Sequence, residues 1–215
     1  MGQLRHNAFG DVIQQVHQSV MTGKLIGFKA ISTNTLTNEY CQDMHKKGKD
    51  IICGDCYSYI MLQSYRKNMQ ACLERNSKLL SESVLHDQQL PTIMEIYYRF
   101  QAHGELINMN HLVNLMNITK KNPLTTFALW TKRNDLIQKY LKNNEKPKNL
   151  ILIYSNPKKS KIMSKPPKHF DKTFNTVLEH EHKELQNCTG QKCKDCLACY
   201  KFNNIDTIVE KVKRY

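Results

Sequence analysis

The 215-residue chain contains no apolar run approaching the roughly 20 residues that span a bilayer. Its opening stretch, MGQLRHNAFGDVIQQVHQSV, holds no run of signal-peptide length either. Gly2 is followed by His6 and Asn7, without the Ser or Thr of a myristoylation signal. These absences exclude a helical membrane span and a lipid anchor, and they predict a cytosolic protein. Glycine is scarce at 8 residues and proline at 6, which excludes collagen-like and linker-like chains, and the length suffices to bury a hydrophobic core. There is no Gly-rich phosphate loop, no HExxH and no G-x-S-x-G, so nucleotide hydrolysis and serine-hydrolase chemistry find no support. The single tryptophan, Trp130, lies in an apolar stretch and reads as packing.

Acidic residues are also few. Nineteen Asp and Glu stand against 32 Lys and Arg, leaving a formal charge of +13. That charge predicts weak, sequence-indifferent attraction to nucleic acid through phosphate neutralisation. The lysine runs, such as NPKKSKIMSKPPKH at 156–169, read as solvated loop, because no arginine-rich helix or aromatic-basic interleaving marks a reading surface.

Cysteine, by contrast, is plentiful at eight residues. In a reducing compartment these read as metal ligands or buried thiols, not as a disulfide framework. Cys193, Cys196 and Cys199 repeat at intervals of three in CKDCLAC, the C-x₂-C-x₂-C core of the compact ferredoxin run, and Cys188 can complete a set of four. Structural zinc more often uses two pairs a dozen or more residues apart, so the spacing favours a [4Fe-4S] cluster, with zinc and an unmetallated thiol group as alternatives. Nearer the N-terminus, Cys41, Cys53 and Cys56 give a second set of three. If 57–83 is one helix, Cys72 lies about 24 Å along it from Cys56 at about 1.5 Å per residue, and it reads as a core thiol. Three ligands and four predict two clusters, one with an open iron; His45, Asp50 or a homodimer partner could supply a fourth ligand.

The pattern of apolar residues predicts a helix over 11–22, a strand at 24–33, one long helix over 57–83, a strand at 92–102, a helix at 108–122, a strand at 125–132, a helix at 134–144 and a strand at 149–156. The segment after His169 shows no clear period, and NNIDTIVEKVKRY (203–215) predicts a closing amphipathic helix. Alternating strands and helices argue for an α/β fold, an open or partial (β/α) barrel of about four parallel strands, since a full barrel needs more chain. Residues 1–170 are expected to form this barrel domain with its N-terminal cysteine loop, and 171–215 a C-terminal cysteine-rich cluster segment. Functional groups of such folds gather after the carboxyl ends of strands, where Cys41, Cys53, Cys56, His103, Gly104, Glu105, Lys132 and Arg133 fall. His180 and His182 read as solvent-facing.

With cysteines after the first strand, CGDCY opening a helix and HGEL after the second strand, the chain resembles phage and large-DNA-virus proteins of the gene-product eighty-eight type over about Lys24 to Phe202. Those proteins are in turn distantly similar to radical SAM enzymes. The resemblance implies that Cys41, Cys53 and Cys56 hold a [4Fe-4S] cluster, and that Gly104 and Glu105, with His103 beside them, line a site for S-adenosylmethionine at its open iron. It further implies a viral protein of the host cytosol or the virion. The departures are specific: eight extra residues separate the first two cysteines relative to C-x₃-C-x₂-C, and His103 and Leu106 replace the flanking Gly and Pro. A radical SAM-like enzyme and a redox or sensing protein are both consistent with these residues. A zinc-stabilised basic module binding nucleic acid or a host protein is the alternative.

Overall fold

The computed structural model of the chain describes residues 5–6 and 12–212. A short antiparallel pair, β1 (Arg5–His6) and β2 (Val12–Ile13), precedes one open seven-stranded sheet. Its strands are β3 (Ser19–Val20), β4 (Lys29–Ile31), β5 (Tyr97–Phe100), β6 (Thr126–Thr131), β7 (Leu150–Ser155), β8 (Lys172–Val177) and β9 (Thr207–Lys211). They lie side by side in chain order, β3 antiparallel to β4 and every later pair parallel.

Side chains alternate across each strand, and both faces are apolar, as parallel strands require. On one face Tyr98, Phe100, Phe127, Leu129, Leu150 and Leu152 pack under the helices α3 (Gln70–Glu82), α4 (Met109–Lys121) and α5 (Asn134–Leu141). Those helices contribute Leu80, Leu112, Leu115, Ile118, Leu136 and Ile137 to the same core. At about 1.5–3 kcal/mol per fully buried large apolar side chain, this layer supplies the main drive to fold. The opposite face, with Ala128, Trp130, Ile151 and Ile153, is covered by Leu25 and Phe28 and by the cysteine segment, whose Tyr200 is buried and whose Cys193, Leu197 and Cys199 pack alongside.

The helices and strands expected between 108 and 156 all form, within a few residues at their ends. Asn108 caps α4 by accepting from the His111 N–H at 3.0 Å. Elsewhere tertiary context overrides local pattern. In place of the helix expected over 11–22 there are β2 and β3, the latter pairing antiparallel with β4 at Ser19–Ala30 and Val20–Lys29; residue 11 lies outside the described residues. The long helix breaks into α2 (Tyr57–Gln63) and α3. Its interruption is at Ser64 (φ −114°, ψ −108°), whose hydroxyl donates back to the Ile60 carbonyl at 2.7 Å, so the side chain competes with the helix ladder.

Six parallel strands form, where four were expected. The polar run KTFNTV is β8, where Asn175 Nδ2 donates to the Met163 carbonyl at 3.2 Å and Lys172 Nζ to Asn203 Oδ1 at 2.7 Å, while the buried Thr176 hydroxyl has no partner among the described residues. The closing segment is a strand, not a helix. Ile208 and Val209 are both buried, and the segment pairs in parallel with β8 from Thr173–Thr207 to Val177–Lys211; residues 213–215 lie outside the described residues. The sheet that begins at residue 19 therefore continues through residue 211, and the C-terminal cysteines sit between its last two strands.

Candidate metal centres

The first candidate centre lies beyond the carboxyl ends of β4, β5, β6 and β7. Asn38 caps α1 (Glu39–Lys46), its side-chain oxygen accepting from the Cys41 N–H at 3.2 Å, while its Nδ2 donates to the Glu105 carbonyl at 2.9 Å. One buried side chain thus places Cys41 relative to the β5 loop. Cys53 lies in a 3-10 turn, Ile52–Asp55, stitched to the end of β7 by the Ile52 N–H donating to the Pro157 carbonyl at 2.8 Å. The inserted loop folds onto itself there, with the Gly48 carbonyl carbon 2.5 Å from where a Cβ on Gly54 would stand. Cys56 immediately precedes α2, whose first two residues bind the β5 loop. The Tyr57 hydroxyl donates to the Ala102 carbonyl, and Ser58 Oγ meets His103 Nδ1 at 2.7 Å. Ser58 also meets Thr35 Oγ1 at 2.6 Å, and that hydroxyl accepts from the Gly104 N–H at 2.9 Å.

At the bottom of this site sits Lys132. Its ammonium donates to Ser155 Oγ at 2.9 Å. Burial works against its charge, but Cys53, Glu105, Cys56 and Cys41 around it outweigh burial and hold its pKa above the ordinary lysine value. Burial, followed by the Glu105 carboxylate and the neighbouring Cys56, pushes the Cys41 thiol well up, and burial also raises Cys53. A metal at these sulfurs must displace their protons, and a fixed ammonium beside them favours the thiolates that result.

The three residues expected to bind cofactor are all in this loop, each with a structural task. Gly104 adopts φ +77°. Glu105 is 5% exposed; one carboxylate oxygen accepts from Thr131 Oγ1 at 2.6 Å and the Leu106 N–H at 2.8 Å, the other from the Lys132 N–H at 2.8 Å. His103 is 6% exposed, and burial together with the Arg99 charge pushes its pKa down to about 4, so it is neutral at pH 7. His45, a candidate fourth ligand, bonds the Cys53 carbonyl through Nδ1 at 2.9 Å.

The second candidate centre is the C-terminal run. Cys193–Cys196 forms a single helical turn, α6, ended by Leu197 at φ +52°. Cys188 is clasped to the outer side of β9. The Asn187 and Cys188 N–H groups donate to the Val209 carbonyl at 3.2 and 3.0 Å, and the Val209 N–H donates to Asn187 Oδ1 at 2.9 Å. Lys24, ion-paired with Glu210, approaches Cys188 Sγ at 3.8 Å, and Gln191 Nε2 approaches Cys196 Sγ at 3.6 Å. Burial drives the Cys199 thiol up to about 12, with Cys188, Cys193 and Cys196 adding to the shift and Arg99 opposing it. All four sulfurs therefore lie within electrostatic reach of one another.

All eight cysteines are free thiols. Among the described residues, no three His, Cys, Asp or Glu side chains converge closely enough to grip a single ion. Cys72 stands apart in α3, its thiol donating to the Met69 carbonyl at 3.0 Å. His180 and His182 are exposed, as the sequence suggests, and Trp130 packs against Tyr200 and Phe174. Sequence reasoning missed Asn38, Lys24 and Arg99; only Arg99, a charge inside the apolar run YYRF, left a signal.

Fold and sites together define an α/β protein with a largely parallel open sheet, three cysteines gathered at its strand ends and four more in the segment that covers the face opposite α3, α4 and α5. No protein-family model, curated protein or solved structure matches the chain.

Proposed function

We propose that this chain is an iron–sulfur protein binding two [4Fe-4S] clusters, one at Cys41, Cys53 and Cys56 and the other at Cys188, Cys193, Cys196 and Cys199. The observation that carries the proposal is the grouping of three thiols, from α1, the 3-10 turn and the residue before α2, around the Lys132 ammonium at the strand ends. The donor set is all sulfur, which suits iron–sulfur clusters and zinc better than oxygen-seeking ions. The intervals of three between Cys193, Cys196 and Cys199 suit a cluster better than the two separated pairs of structural zinc. Such clusters, when bound, supply one-electron transfer.

The chain's own contribution is positional. Asn38 fixes Cys41, and Tyr57 and Ser58 fix Cys56, to the β5 loop; the Ile52–Pro157 bond holds the turn of Cys53 to the end of β7, and Lys132 offsets their negative charge. Three ligands leave one coordination site for a small molecule such as S-adenosylmethionine. Glu105 enters that reading with three of its roughly four lone-pair positions already occupied, which favours a redox or sensing role over radical chemistry. The net charge of +13 favours weak, salt-sensitive contact with nucleic acid as a secondary property.

Anaerobic purification tests the proposal. Brown protein with about eight iron and eight sulfide per chain is expected; colourless protein with stoichiometric zinc would reject it in favour of the zinc-stabilised basic module. In iron-loaded protein, an electron paramagnetic resonance spectrum altered by S-adenosylmethionine, with 5′-deoxyadenosine formed on reduction, would assign enzyme function. An unchanged spectrum would leave electron transfer or sensing.

A further inference from the structure

Arg99 projects from β5 onto the sheet face that carries the C-terminal cysteines. Its guanidinium lies 4.0 Å from the centre of the Trp130 ring, and the Trp130 and Tyr200 rings are 5.5 Å apart. Around it are Tyr200, Tyr57 and Cys193, and on the sulfur side it opposes the rise in the Cys199 and Cys193 pKa values. Among the described residues no carboxylate pairs with it, whereas Lys24, Arg133 and Lys146 are matched by Glu210, Asp135 and Asp171.

Four buried side-chain atoms among the described residues lack a hydrogen-bond partner, and three of them meet here: Arg99 Nε, Trp130 Nε1 and Tyr200 Oη. Trp130 is 8% exposed and Tyr200 only 1%. The Tyr200 hydroxyl lies beside the guanidinium without a hydrogen bond of good geometry to it. Arg99 as a whole is half-buried, but its Nε, the Trp130 N–H and the Tyr200 hydroxyl are shut off from water, and donors left unpaired in this way are costly. Each can donate, and only the hydroxyl can also accept, so what they lack is an acceptor, and beside a guanidinium a negatively charged one serves best. Cys193 and Cys199 pack against the cluster that holds Trp130 and Tyr200, and both lie within electrostatic reach of Arg99.

We propose that Arg99, Trp130 and Tyr200 are the donor wall of the C-terminal cluster, and that Arg99 raises its reduction potential. This rests on the iron–sulfur reading of that site. A cubane held by four thiolates is anionic and gains one further negative charge when it accepts an electron. A fixed positive charge and hydrogen bonds toward sulfur stabilise the reduced form more than the oxidised one. Burial of the three donor atoms strengthens the effect, since water does not compete for their hydrogen bonds.

The test is a dithionite reductive titration of full-length, anaerobically purified protein, followed by electron paramagnetic resonance. The transition missing from Cys193→Ser identifies the C-terminal cluster. Arg99→Met is expected to keep about eight iron per chain and to lower the reduced-to-oxidised ratio at fixed potential by about tenfold or more, a midpoint shift of about 59 mV for one electron. Arg99→Lys, which keeps the charge, should recover most of that shift. Tyr200→Phe and Trp130→Phe each remove one donor while keeping a ring, and should lower the midpoint by less; they carry the test if Arg99→Met does not fold. Full iron with unmoved midpoints in the folded variants would overturn the role of this wall while leaving the clusters in place. Wild-type protein loaded with zinc and lacking iron would overturn the cluster reading and this inference with it.

Discussion

The Thr33 carbonyl oxygen passes so close to Gly104 that a Cβ there would stand 2.6 Å from it. The chain also turns at Gly104 through φ +77°, a region costly for any residue with a side chain. Gly104→Ala should therefore destabilise the fold by about 1–3 kcal/mol in denaturant titration. Iron at the first site should fall with it, because the same loop fixes Cys41 and Cys56 through Glu105 and His103. Wild-type stability in this variant would show that the β4 and β5 loops can separate without cost.

Glu105→Ala should cost about 3 kcal/mol, since a buried carboxylate accepting three hydrogen bonds is lost and the donors of Thr131, Leu106 and Lys132 are left without it. Glu105→Gln, which keeps one oxygen acceptor, should cost less. If the residue served only to bind a small molecule, thermal unfolding of both variants would match that of wild type.

The buried, neutral His103 gives stability a pH dependence of definite sign. Its folded pKa of about 4 lies below the usual 6.5, so the unfolded chain takes up the proton more readily. Its contribution is fully present above about pH 6.5 and is lost as pH falls toward 4, amounting to about 3 kcal/mol at about 1.4 kcal/mol per unit. His111, pushed by burial down to about 3, adds loss in the same direction. Urea titrations between pH 7 and 4.5 should show a shallower acid slope in His103→Gln than in wild type. Equal slopes would assign the acid sensitivity elsewhere.

Cys72→Ser should leave the iron content unchanged. The thiol lies within α3, bonded to the Met69 carbonyl one turn back. A loss of about half the iron would make Cys72 a ligand and require the segment between α2 and α3 to rearrange.

The middle of the fold was legible because periodicity and capping agree there: α4 has its apolar stripe and Asn108, and β6 and β7 are near-continuous apolar runs. The termini were not. The spacing of Ile205, Ile208, Val209 and Val212 suits a helix as well as a strand, and only pairing with β8 decides between them. Likewise β8 reads as polar until Met163, Asn203 and Ile205 are seen to take up the hydrogen bonds of Lys172 and Asn175. At the sites, the cysteines and HGEL could be read from spacing. That Lys132 lies among three cysteines, or Arg99 against Trp130 and Tyr200, depends on strands brought together from distant parts of the chain.

The clasp of Asn187 and Cys188 on β9 has a bearing on how the molecule tolerates damage. An outermost strand with a free row of backbone groups is a template on which another chain can add, and Thr207, Ile208 and Val209 are residues suited to such addition. Here Val209 has both its N–H and its carbonyl already engaged by Asn187 and Cys188. The segment that carries the C-terminal cysteines is thus also the guard of the sheet's open border. Oxidation of the Cys188 thiol would loosen that guard, and the damage would appear first as self-association of otherwise folded protein, ahead of any unfolding.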